Sequence, residues 1–167
     1  GFKAFAYTIL FSTKKLEAGT LKLNLINASG NSYVSGQWTK SNVYVSLSQA
    51  QYGTSNYESI SGSAQTVATG TTADSLITKA GITTLRVKTV DGPNTVYSQN
   101  YIVKVDNQNP TAGTLTMKLN STTGSTYTSG NWTNQNVWIH KNDGSDNLSG
   151  HQSTTYNVSG AETLNNQ

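Results

Sequence analysis

Cysteine is absent from this 167-residue chain, only two residues are proline, and Arg86 is the single arginine. Without cysteine there is no disulfide framework, thiol nucleophile or thiolate metal ligand. That lack suits a bacterial exported protein or a cytosolic one and does not choose between them. Two prolines exclude a Pro-rich linker. Charge is scarce: eleven basic and eight acidic residues make up 11% of the chain, for a net charge of +3. The lysines scatter from Lys3 to Lys141, without the clustered basic stripe that nucleic-acid binding requires. No apolar run is long enough to span a bilayer. The run AFAYTILF, residues 4–11, has no small-residue cleavage site after it, and its length predicts a strand. Helical periodicity is missing as well, with residues 73–80 its one weak trace.

Catalytic signatures are also lacking. The chain has no Gly-x-Ser-x-Gly elbow, no His-Glu-x-x-His pair and no phosphate-cradling glycine loop. Its eight acids are dispersed, mostly beside Gly or Asn, as turn carboxylates are. We therefore expect no enzyme.

What is present is β-forming. Hydrophobic residues are only 34% of the chain, yet nine Tyr, three Trp and many Val, Ile and Thr suit a pleated, half-buried surface. The expected class is all-β with much exposed polar surface. One sentence of sequence is written twice. YVSGQWTKSNVYV (33–45) returns as YTSGNWTNQNVWI (127–139), an offset of 94 residues. The same offset carries the AGTL of 18–21 onto that of 112–115, and Tyr7 onto Tyr101. A unit of that length is the size of a β-sandwich rather than of a solenoid repeat. Strands are expected at 20–26, 42–48, 114–119 and 136–141. Two more, 82–90 and 95–105, are expected to join through a hairpin turn at Asp91-Gly92-Pro93-Asn94. The register gives three segments: 1–17, the last strand and linker of a preceding unit; 18–111, a complete domain; and 112–167, the front part of a second, without its closing hairpin.

The motifs Asp106-Asn107-x-Asn109-Pro110-Thr111, Tyr127-x-x-Gly130-x-Trp132-Thr133-x-x-Asn136-Val137 and Ser145-Asp146-x-x-Ser149-Gly150 resemble the bacterial Ig-like repeats of large surface proteins. In the first copy Lys14-Lys15-Leu16-Glu17 stands in place of the Pro-Thr linker, and the Ser-Asp loop is missing. The resemblance implies tandem Ig-like β-sandwiches, antiparallel and end to end, exported to the cell surface. Their role would be a stalk or fibre beside neighbouring Ig-like repeats. It does not fix a ligand.

The recurring residues Tyr33, Gly36, Trp38 and Val43, with Tyr127, Gly130, Trp132 and Val137, read as a structural core of buried aromatics around a turn glycine. Tyr44 and Trp138 alternate with aliphatic residues and are expected to point outward, as candidate ligand contacts. Asp106, Asn107 and Asn109 form a thin candidate calcium set at the unit junction; no other cofactor is expected. His140, Asp143, Asp146 and His151 lie close in sequence, but the counterparts of the first three are Ser46, Gln49 and Tyr52, so a solvated loop is the expectation.

Three functions follow. The first is a structural spacer, the second a carbohydrate-binding or adhesive module for surface polysaccharide. The third is a fibre subunit whose N-terminal strand completes another copy.

Overall fold

The computed structural model describes residues 14–160. The stretch at residues 4–11, expected to be a strand, lies outside them. The chain divides into two compact units, Gly1–Val105 and Asp106–Gln167.

Among the described residues, unit 1 contains eight strands: β1 (Thr20–Leu25), β2 (Trp38–Thr39), β3 (Val43–Ser48), β4 (Thr54–Ser59), β5 (Ser75–Ile77), β6 (Gly81–Asp91), β7 (Asn94–Tyr97) and β8 (Tyr101–Val105). One sheet has the order β1-β3-β5. The other runs β2-β8-β6-β4, with β7 on β6 beyond the end of β8. Alternation decides which side of each strand is covered. In β6, Thr83, Leu85, Val87 and Thr89 are fully buried, while Arg86 and Lys88 between them face outward. Leu21, Leu23, Val43, Val45 and Ile77 of the first sheet join Tyr57, Leu85, Val87, Val103 and Val105 of the second in one apolar cluster. Two sheets closed over a shared core make this an all-β fold compatible with a β-sandwich.

The hairpin at residues 91–94 forms as expected, with Asp91 facing Asn94 and Gly92 at φ +59°, a conformation that favours glycine. Its second strand is not continuous, however. β7 and β8 both pair with β6, and the break between them is held by Ser98, whose Oγ accepts from Val87 N at 2.8 Å. The weak helical trace at 73–80 holds β5 instead. Ile77 is 1% exposed against β3, and burial beside a formed strand outweighs a short run of helix-tolerant residues.

A buried polar cluster ties the first sheet to the second. Thr89 Oγ1 accepts from Gly19 N at 3.0 Å and lies 2.7 Å from Ser55 Oγ. Ser55 Oγ in turn accepts from Ala50 N at 3.1 Å. A Cβ at Gly19 would come within 2.6 Å of Ser48 O, so only glycine allows this approach.

Unit 2 contains β9 (Thr114–Leu119) and β10 (Val137–Asn142), paired antiparallel. Its local backbone follows that of β1–β3 at the same 94-residue offset. Leu25 N donates to Asn31 O and Leu119 N to Ser125 O; Ile26 N donates to Asn42 O and Asn120 N to Asn136 O. Ile26 and Asn120 both take positive φ, at 71° and 64°. Gly36 and Gly130 match at 89° and 88°.

Candidate functional site

The outward aromatics come first. In β3, Val43 and Val45 are fully buried and Tyr44 between them turns outward. Its hydroxyl donates to Asp74 Oδ2 at 2.5 Å, and that hydrogen bond to a carboxylate raises the phenol pKa above its usual value. Tyr44 is thus committed to a neighbour within unit 1. In β10, Trp138 stands on the same side as His140, two residues on, and the rings stack at 5.5 Å between centroids and 3° between planes. Together they present a flat aromatic step on a strand that is otherwise polar on that side.

The junction residues form a loop clasp. Asp106 is 5% exposed; its Oδ1 accepts from Gln108 N at 3.2 Å and its Oδ2 from Ser149 N at 3.1 Å. Asp146 Oδ1 accepts from Leu148 N at 2.8 Å and from Gly150 N at 3.2 Å. The two carboxylates border a cleft of about 80 Å³ that Asn109 also lines. Asn107 is exposed and does not line that cleft. Among the described residues no group of three or more His, Asp or Glu is placed to hold a metal. The His and Asp residues that lie close in sequence go separate ways. His140 stacks on Trp138, Asp143 pairs with Lys141 at 3.2 Å, and His151 Nε2 meets Thr154 Oγ1 at 2.8 Å.

The recurring Tyr-x-x-Gly-x-Trp residues do different work in the two units. In unit 1, Tyr33 is buried; its hydroxyl donates to Gln37 O and accepts from Lys104 N at 2.9 Å. Burial raises its pKa above the usual phenol value. Gly36 N donates to Ile102 O at 2.7 Å, and Ser35 Oγ accepts from Ile102 N at 2.8 Å. Trp38 is half-buried in β2, which pairs in parallel with β8, and Lys104 Nζ sits 5.7 Å from the centre of its ring.

In unit 2, Tyr127 hydroxyl again donates to its own loop, to Asn131 O at 2.6 Å. Here Trp132 is 102% exposed, which corrects the expectation of a buried core aromatic. Tyr127 and Val137 are half-buried, and Gly130 is exposed. The physical reason is local: β8 pairs alongside Trp38 and sets Lys104 near its ring, and no described strand pairs alongside Trp132. Met117, Tyr127, Trp132, Val137 and Ile139 therefore line an open cleft of about 450 Å³, which Val158 borders.

Comparison with protein-family models, curated proteins and solved structures gives no match.

Sequence reasoning missed the seam where Tyr33, Ser35 and Gly36 grip β8 in parallel. A signal was there: Tyr-x-Ser-Gly recurs at 127–130 with both of its polar residues intact. It also took Trp132 for a buried aromatic. There the pattern marks which residues are apolar, while exposure depends on what lies over them.

Proposed function

We propose that this chain is a structural spacer: Ig-like β-sandwich units in the stalk of an exported bacterial surface protein, without catalysis. One observation carries the reading. Backbone hydrogen bonds recur at the 94-residue offset, while the polar side chains that could hold a ligand do not. Asp106, Asn107 and Asn109 correspond to Ser12, Thr13 and Lys15, and Asp146 to Tyr52. Repetition of shape without repetition of a site is what a spacer needs, because length then adds unit by unit. The motif resemblance to bacterial Ig-like repeats supports the same reading. Small-angle scattering on one, two and three genetically joined copies tests it. The maximum dimension should grow by the same increment with each copy; a particle whose length does not grow would overturn the spacer.

A carbohydrate-binding module is the second reading, and the parallel Trp138–His140 ring pair on the surface favours it, since aromatic faces suit sugar rings. The parent and Trp138→Ala should then differ in retention on insoluble polysaccharides. Passage of the parent through every polymer would remove this reading.

A further inference from the structure

We propose that the apolar face of unit 2 is a strand receptor, and that it takes the segment Tyr7–Phe11 of a second copy of this chain. The proposal stands independently of the spacer reading.

Unit 1 shows such a receptor loaded. β8 lies along Tyr33–Thr39, held by Gly36 N, Ser35 Oγ and the Tyr33 hydroxyl, with Trp38 opposite Lys104 and Thr39 opposite Val105 in parallel register. Its inward residues Val103 and Val105 are fully buried in the cluster that holds Leu23, Val43 and Val45.

Unit 2 carries the same receptor parts: Tyr127, Ser129, Gly130, Trp132 and Thr133. The hydroxyl of Tyr127 is already oriented by its own loop, and Gly130 is already at the φ of Gly36. Met117, Val137 and Ile139 stand where Leu23, Val43 and Val45 stand in unit 1. No described strand lies along this seam, and open strand edges beside apolar surface recruit strands.

Outside β8 itself, the sequence supplies a matching segment at Tyr7-Thr8-Ile9-Leu10-Phe11, aligned with Tyr101–Val105 at the 94-residue offset. Ile9 and Phe11 take the inward places of Val103 and Val105. Leu10 takes the place of Lys104 and so lies opposite Trp132, covering an exposed indole with an aliphatic side chain. No charge interrupts the sequence between Lys3 and Lys14. The donor is a second copy because of chain polarity in unit 1. Lys14 Nζ pairs with Asp91 Oδ2 at 2.7 Å, at the end of β6 opposite Gly81, and Gly81 is the residue that faces Val105. Lys14 and Val105 therefore lie at opposite ends of β6, which suits head-to-tail joining.

The test uses the full 167-residue chain. Light-scattering mass should rise above the 17.8 kDa of one chain as concentration increases, and oxidative labelling of Trp132 should slow several-fold over the same range. Ile9→Asp blocks the donor. Trp132→Asp blocks the receptor at a fully exposed position, where folding is not at stake. Each variant alone should remain a single chain, and an equimolar mixture should stop at two. Because the chain has no cysteine, Phe11→Cys and Thr133→Cys chains report the register. They should cross-link as the facing pair Val105 and Thr39 predicts, and Phe11→Cys should not cross-link with Thr128→Cys. A constant single-chain mass with Trp132 equally reactive at every concentration would overturn the proposal. So would assembly that survives Ile9→Asp, or cross-linking that is indifferent to register.

Discussion

Tyr57 carries a hydroxyl into the core of unit 1, where burial favours the neutral phenol. Its ring is fully buried, and its hydroxyl donates to Ala73 O at 2.5 Å with Ser75 Oγ at 2.6 Å. Burial raises its pKa above the usual value of 10.0, as it does for Tyr33. The sign follows from linkage. A folded-state pKa above the unfolded one gives stability that is complete below about pH 10 and is lost as pH climbs through the folded values. Urea midpoints should accordingly stay level to about pH 9 and fall beyond pH 10. Tyr57→Phe should cost about 1 kcal/mol at neutral pH, through the unsatisfied Ala73 carbonyl, and should lessen the alkaline fall. An alkaline fall as steep in Tyr57→Phe as in the parent would refute the assignment.

Among the elements, β6 is the spine of unit 1, pairing with β4, β7 and β8. Its outward face carries the chain's single arginine. Arg86 Nη2 meets Glu58 Oε1 of β4 at 2.5 Å, and its guanidinium lies 4.2 Å from the ring centre of Tyr97 on β7. One planar group thus links three strands, combining an ion pair with a cation–π contact. Both partners are partly exposed, at 37% and 13%, so screening keeps the ion pair modest. Arg86→Ala should destabilise unit 1 by about 1 kcal/mol. Arg86→Lys should recover less than half of that, because an ammonium neither forks nor stacks. Equilibrium denaturation of the two variants measures the difference; equal stability of lysine and arginine would show that charge alone matters here.

Across the whole molecule burial is uneven. Among the described residues, all twelve buried hydrophobic ones fall between Leu21 and Val105, and unit 2 has none of them. Since apolar burial is the main favourable term in folding, the two units should unfold separately and unit 2 first. Leu85→Ala, at a fully buried site, should lower only the later transition, by about 2–5 kcal/mol. Calorimetry of parent and variant checks this; a single transition that moves as a whole would mean the units are coupled.

The sequence by itself determined the all-β class, the strands at 20–26, 42–48, 114–119 and 136–141, the turn at Asp91–Asn94, and the outward turn of Tyr44 between Val43 and Val45. These follow from local rules: residues two apart share a face, and a turn needs its own residue types. Tertiary structure decided what lies over each face. Trp38 and Trp132 occupy the same position in the same motif, yet one is half-buried beside β8 and the other stands bare. Asp106 accepts a hydrogen bond from Ser149, far along the chain, a partner that nothing in the sequence marks. Ser55, Thr89 and Gly19 give no sign in the sequence of meeting, since their contact depends on two sheets closing together. Period and turn chemistry are properties of neighbours in the chain. Burial and hydrogen-bond partners are properties of neighbours in space, which only the closed fold brings into contact.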